Sequence, residues 1–367
     1  MKLSTLHPLV ERPGPWASVY VPVVTADEST LRRRDLRARH VQGELRRMGA
    51  DEGTRRVVDD ALSALADERR NSPYVLFAAD GDLVCAEPLA EGPPGDAPSV
   101  WWSRLPRLTP LLEYAHDEPD CLVAYVDRAG ADIELRTPAG RRPVGEVEGK
   151  QWPLHRTASA DWSERHFQLK VENTWEENAK AIAHALASCQ EQTGAELLVL
   201  AGDVRERSAV HAHLPAQGFT RVGDSEHGGR ARGADGRLLD EDVNRIAADH
   251  ARHRTDGLLD RFGDGGDGME HLEALVEAAR EHRVATLLVR HDGPDAAREV
   301  WTGTDPDQLA LRRTDAAALG AEQPFAARAD DALLRSAVAT GADAVLVPAD
   351  SAHPVGGLGA LPRWTYS

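Results

Sequence analysis

Apolar positions recur along this chain in two alternating periods, and the alternation lays out its elements. WASVYVPV near the start is a short apolar run of strand length, and LRRRDLRARHVQGELRRMG after it has helical character. VLFAADGDLVCAEPL predicts two strands around Asp80-Gly81, a dipeptide that accepts the backbone angles of a tight hairpin. EGPPGDAPSVWW is rich in Pro and Gly and reads as a surface loop. A first domain therefore covers residues 1–115.

A second unit opens on CLVAYVDRAGADIELRT: an apolar strand, a turn at Arg128 to Gly130, then an alternating strand. A polar connection rich in Gly and Arg leads to a long helix predicted from about Trp162. Phe167, Val171, Trp175, Ala179, Ile182, Leu186 and Cys189 recur at steps of three or four and mark one face of that helix, laid on a sheet. Asp161 is placed as its N-cap, with Glu164 completing a capping-box pattern. LLVLAGD is a buried strand, followed by a helix from Val204 to His213. This domain covers 116–262 and ends before GDGGDG, which reads as a hinge. The third, 263–367, holds the strand VATLLVR, then DDALLRSAVATGADAVLVPAD, a helix running through a glycine into a strand, and closes on GGLGALPRW. The predicted class is α/β (α+β) in three domains.

With 41% apolar and 28% charged residues in 367, the composition is that of a globular protein. No apolar run approaches the roughly 20 residues of a bilayer span, and MKLSTLHPLVERPGPW lacks the apolar core of a signal peptide, so the expected location is cytoplasmic with no membrane partner. A net charge of -17 excludes a protein that coats nucleic acid indiscriminately. Locally the balance reverses: between Leu31 and Gly49 seven arginines stand against Asp35 and Glu44, which suits a solvated helix face or an RNA-facing surface. Cys85, Cys121 and Cys189 lie far apart and read as buried thiols.

Candidate chemistry collects around the start of the long helix. Arg165, His166 and Lys170 fall at its N-terminal end, with His155 and Arg156 in the loop before it. The helix dipole is already positive there, so further cations are unfavourable unless an anion is bound. The alternative is that Glu164, Glu172 and Glu176 neutralise them as surface pairs. EHGGRARGADGR, with Arg230, Arg232 and Arg237, reads as an RNA-contacting loop or an ordinary surface loop, since it lacks the context of a nucleotide-binding motif. His211 with His213, and His250 with His253, read as surface histidines; no metal, cofactor or nucleophile elbow is called.

The order LTPLLEYAHDEPDCLVAYVDRAGADIEL, long loop, WSERHFQ, LLVLAGD resembles the central domain of the archaeo-eukaryotic class-I release factors and Pelota. PGPWASVYV, QWPLHR, ENTWEENAK and GGLGALPRW resemble the bacterial branch of that family, which includes Balon-type ribosome hibernation factors. The resemblance implies an RNase H-like central domain and an L7Ae-like C-terminal α/β domain. In the release factors the loop ends in Gly-Gly-Gln, whose glutamine helps water cleave peptidyl-tRNA. Here Ala160, Asp161 and Trp162 replace it before Ser163 and Arg165-His166-Phe167, and Gly-Gly-Gln occurs nowhere in the 367 residues. An acidic Asp161 is repelled by phosphate-rich RNA. The resemblance thus implies a ribosome-binding factor without catalytic residues. It would occupy the A site of the 70S ribosome in hibernation or stress, with His155, Arg156, Arg165, His166, Lys170, Arg230 and Arg232 on rRNA and no DNA partner. Elongation factor Tu is the implied GTPase partner. Two other readings stand beside it: a peptidyl-tRNA hydrolase or rescue factor using His155 or His166 as base, and a stress-response adaptor that binds only protein.

Overall fold

The computed structural model describes residues 3–23, 30–68, 72–114, 119–137, 140–149, 163–230, 236–263, 268–290 and 292–364; the side chains of 4–5, 30–33, 66–68 and 163–173 lie outside that description. It is a mixed α/β structure with several sheets, and the chain folds as two compact units. One is built from Met1–Asp117 together with Thr255–Ser367, the other from Glu118–Arg254.

In the first unit, α1 (His7–Glu11) leads to β1 (Trp16–Val21), then α2 (Thr30–Arg47), α3 (Glu52–Glu68), β2 (Tyr74–Ala79), β3 (Asp82–Pro88), β4 (Ser99–Ser103) and α4 (Thr109–Tyr114). The strands form an antiparallel sheet in the order β3-β2-β1-β4. The hairpin at Asp80-Gly81 is present, with both residues at positive φ. SVWW, read above as loop, is β4: it pairs with β1 along its whole length, and this long-range pairing overrides the Pro-Gly signal before it. β1 is buried on both faces. Ala17, Val19 and Val21 pack with Val41, Leu45 and Val58 of α2 and α3. Trp16 and Tyr20 point the other way, into a cluster that contains Leu275, Leu333 and Ala337 from the far end of the sequence. Strand periodicity thus gives one short segment two hydrophobic neighbours, each fully buried side chain contributing about 1.5–3 kcal/mol.

The C-terminal part of this unit contains α8 (Leu272–Arg280), β10 (Val284–Val289), β11 (Glu299–Thr302), β12 (Leu309–Ala310), α9 (Arg313–Ala318), β13 (Phe325–Arg328), α10 (Ala329–Thr340), β14 (Asp343–Leu346) and β15 (Leu358–Pro362). β10 pairs parallel to β14 and antiparallel to β15, while β11, β12 and β13 make a small separate sheet. The predicted passage from helix through glycine to strand is α10, Gly341 and β14. Leu358 and Leu361 are buried, whereas Trp364 is exposed.

α10 is buried from Ala329 to Val338, although Asp330, Asp331, Arg335 and Ser336 lie in that stretch. Buried charges need partners. Arg107 Nη1, from the loop after β4, donates to Asp330 at 2.8 Å and to both oxygens of Asp331 at 2.9 Å. Arg328 donates to Asp330, and the Leu108 N–H to Asp331. Arg335 donates instead to the carbonyls of Gly303 and Thr304, and desolvation pushes its pKa down to about 10.

The second unit carries β5 (Cys121–Asp127), β6 (Gly130–Thr137), β7 (Gly140–Glu148), α5 (Ser163–Thr193), β8 (Leu197–Ala201), α6 (Val204–His211), β9 (Arg221–Ser225) and α7 (Gly236–Gly263), whose last residues belong to the first unit. The sheet order is β7-β6-β5-β8-β9, with β5, β8 and β9 parallel. β7 and β9 are absent from the sequence reading, because RRPVGEVE and RVGDS carry too few apolar residues to stand out until their neighbours supply the hydrogen bonds. Ala179, Ile182, Leu186 and Cys189 are buried on the sheet as the α5 periodicity predicts, and Trp175 is half-buried. Cys121 and Cys189 are buried free thiols, and Cys85 is half-buried. Among the described residues no helix is long and apolar enough to cross a membrane.

Candidate functional site

The carboxyl ends of parallel strands are where an open α/β sheet can gather loops, because the connections to the next helices leave from there. In the second unit these ends are Asp127, Ala201 and Ser225. Gly202 follows β8 at φ +146, and a Cβ there would lie 2.3 Å from the Val126 carbonyl oxygen, so β5 and α6 can approach only across a glycine. Asp203 then caps α6, accepting the Arg205 N–H at 2.9 Å.

α5 reaches this end of the sheet through Trp175 and Asn178. The Arg128 guanidinium stacks 4.4 Å above the Trp175 ring while its Nε donates to Glu206 at 2.9 Å. Asn178 Nδ2 donates to the Arg128 carbonyl, also at 2.9 Å. Val126, Ile182 and Val210 close the space beneath to about 50 Å³. That volume admits water but no substrate. Before Trp175, α5 runs back to Ser163, about 18 Å of helix by its rise per residue.

Most of the remaining charge at this end is internally matched. Arg230 is aimed at Asp132 (3.1 Å), Asp127 (3.3 Å) and Glu146 (3.8 Å). Arg207 donates to the Gly202 carbonyl and faces Asp224 at 3.3 Å and Glu226 at 3.8 Å. Asp242 accepts from the Ser225 hydroxyl at 2.6 Å and lies 2.9 Å from His227 Nδ1, which together hold its carboxyl down at about 2. This Ser-His-Asp set is no nucleophilic triad: the carboxylate stands between the other two, so the serine has no histidine base. Among the described residues no group of three His, Cys, Asp or Glu is placed to hold a metal.

Of the residues picked from sequence, His155, Arg156, Ala160, Asp161, Trp162 and Arg232 lie outside the described residues. Arg165, His166 and Lys170 lie on α5, with side chains outside the description. Arg230 is held by three carboxylates, Asp127, Asp132 and Glu146, rather than projecting. His250, read as a surface histidine, is buried by its helix packing on the sheet. Arg128, Glu206 and Arg207 do not stand out in the sequence, and the periodicity of α5 places Trp175 only on the core face. The signal available for Trp175 was its isolation among glutamates and asparagines in ENTWEENAK.

Residues 120–267 match the model of the family described as Bacterial archaeo-eukaryotic release factor family 2. Over 379 aligned residues the chain is 27% identical to protein Rv2629 of Mycobacterium tuberculosis, covering 99% of this chain and 97% of that protein. Protein MT2704 of another strain of that organism aligns with the same identity and coverage. Among solved structures the chain is similar to Pelota of Archaeoglobus fulgidus, at 11% identity and TM-score 0.36, covering 99% of this chain and 92% of that one. It is also similar to the archaeal translation termination factor aRF1, at 16% identity and TM-score 0.25, covering 99% and 97%.

Proposed function

We propose that this chain, whose residues 120–267 match the model of the bacterial archaeo-eukaryotic release factor family 2, is a ribosome-binding factor that does not hydrolyse peptidyl-tRNA and occupies the A site in hibernation or stress. The observation that carries the reading is the replacement of Gly-Gly-Gln by Ala160-Asp161-Trp162 immediately before a 31-residue helix, within the segment that matches the family. A release factor needs a glutamine on a glycine hinge to direct water, and Ala160-Asp161-Trp162 offers neither.

In this reading 1–115, 116–262 and 263–367 are three functional pieces. The central one is RNase H-like and the last L7Ae-like, the latter meeting elongation factor Tu. His155, Arg156, Arg165, His166, Lys170 and Arg232 hold RNA backbone, which positions the protein without reading sequence. Arg230 supports them by keeping the acidic strand ends neutralised.

The test is cosedimentation of the purified protein with vacant 70S ribosomes, with and without elongation factor Tu, alongside a peptidyl-tRNA release assay on the same sample. Binding without release is expected. Release above buffer overturns the non-hydrolytic part, and failure to sediment with ribosomes at modest salt overturns the whole.

A further inference from the structure

The second unit has another concave surface, at the opposite end of the sheet from the strand ends described above. Glu196 precedes β8, Thr220 and Arg221 stand at the start of β9, and His250, His253 and Arg254 project from α7; together they line an open cleft of about 550 Å³. Arg221 in it is placed differently from the arginines at the other end. Among the described residues Arg221 has no carboxylate at ion-pair distance; its Nη1 lies 3.3 Å from His253 Nδ1. That nitrogen is itself 2.6 Å from the Asp249 carbonyl, which only accepts, so Nδ1 carries the proton and gives Arg221 no acceptor.

His250 adds an independent observation. The residue is 6% exposed, and its Nε2 is buried with no hydrogen-bond partner among the described residues. Buried polar atoms are nearly always paired, so an orphan in the wall of a cleft marks a place for a ligand atom. Desolvation, with Arg221, Arg254 and His253 acting in the same direction and Glu196 against them, lowers the pKa of this ring. It is therefore neutral at physiological pH and able to present one N–H. The Arg221 guanidinium, a buried imidazole and the Thr220 hydroxyl form a donor set for an oxyanion, and the volume exceeds what one oxyanion fills.

We propose that this cleft binds a phosphoryl group carried on a larger molecule, with His250 Nε2 and the Arg221 guanidinium as its hydrogen-bond donors. The same chemistry is presented by a free nucleotide and by a nucleic-acid strand. The site would exist in a protein that never meets a ribosome, so it stands independently of the reading above.

The test follows the histidine Cε1–H NMR signals of the full chain while inorganic phosphate, AMP and a ten-nucleotide single-stranded RNA are added separately. His250 is assigned by the signal lost in His250→Phe, a change that keeps an aromatic ring while removing the orphan nitrogen. Saturable movement of the His250 signal is expected, with Arg221→Ala weakening binding about tenfold, equivalent to about 1.4 kcal/mol. Saturation by RNA at lower concentration than AMP assigns the phosphoryl group to a strand, and the reverse order to a nucleotide. If none of the three moves the signal, or if Arg221→Ala binds as tightly as the parent, the proposal fails. Should His250→Phe not fold, the Arg221→Ala comparison decides by itself.

Discussion

Arg107 and Asp331, 224 positions apart in sequence, are joined by a guanidinium nitrogen 2.9 Å from both carboxylate oxygens, and neither side chain is more than 11% exposed. The pair ties the loop after β4 to the first turn of α10, and so joins the beginning of the chain to its end within one compact unit. Such a pair is weak evidence of net stabilisation, since desolvation offsets much of the attraction, but breaking one partner leaves a charge stranded. Arg107→Ala is therefore expected to cost about 3–5 kcal/mol in urea unfolding. A loss below about 1 kcal/mol would show that water reaches Asp330 and Asp331.

Burial raises the Asp331 carboxyl to about 7; the neighbouring Asp330 charge adds to the shift and Arg107 opposes it. The sign follows from proton binding. Between the ordinary carboxylate range near pH 4 and pH 7, the folded protein holds a proton at Asp331 that the unfolded chain releases, so this group's contribution declines as pH rises through that window. Asp330 is held low by Arg328 and Arg107 despite its desolvation, so its contribution is lost only at acid pH. Unfolding curves of the parent and Asp331→Asn between pH 5 and 8 should diverge in slope, with the parent losing more stability on going upward. Parallel curves would refute the assignment.

Gly202 separates β8 from α6 where no Cβ fits. Gly202→Ala combines a backbone clash with an unfavourable φ and is expected to cost at least about 2 kcal/mol. Gly257, exposed on α7 with nothing near its missing Cβ, gives the matched control. Gly257→Ala should stabilise by about 0.5–1 kcal/mol. Thermal unfolding of the two variants in one buffer checks both signs.

Arg128, itself exposed, contributes to the second unit through its stack on Trp175 and its bond to the largely buried Glu206. Surface cation–π and ion-pair contacts are each worth about 0.5–1 kcal/mol or less. Arg128→Ala should lower stability by about 1 kcal/mol and shift the Trp175 fluorescence. A double-mutant cycle with Trp175→Leu that returns no coupling would remove the stack as a contributor.

Reversing charge at Arg156 and Arg165 together should weaken ribosome association about tenfold at low salt and by less as salt rises, because phosphate contacts act through counterion release. Sedimentation across a salt series measures it. An unchanged salt slope would mean that these cations do not face RNA.

The sequence by itself determined the elements whose information is local. The Asp80-Gly81 hairpin needs only two residues that accept positive φ, the α5 face needs only its own 3.6-residue period from Ala179 to Cys189, and the stop of α10 at Gly341 needs only a glycine. The family resemblance rested on motif order, which is also linear. Tertiary structure alone decided the rest. SVWW and RVGDS become β4 and β9 because β1 and β8 supply their hydrogen bonds from far along the chain. Asp330 and Asp331 open a helix that the sequence shows, but their burial against Arg107 comes from tertiary structure. Arg230, read in an RNA-contacting or ordinary surface loop, is held by carboxylates on β5, β6 and β7. Arg221 and His250 Nε2, by contrast, meet no carboxylate at bonding distance among the described residues. Periodicity and turn chemistry reach a few residues, whereas burial of a charge depends on what arrives from elsewhere in the chain, and no local pattern records that.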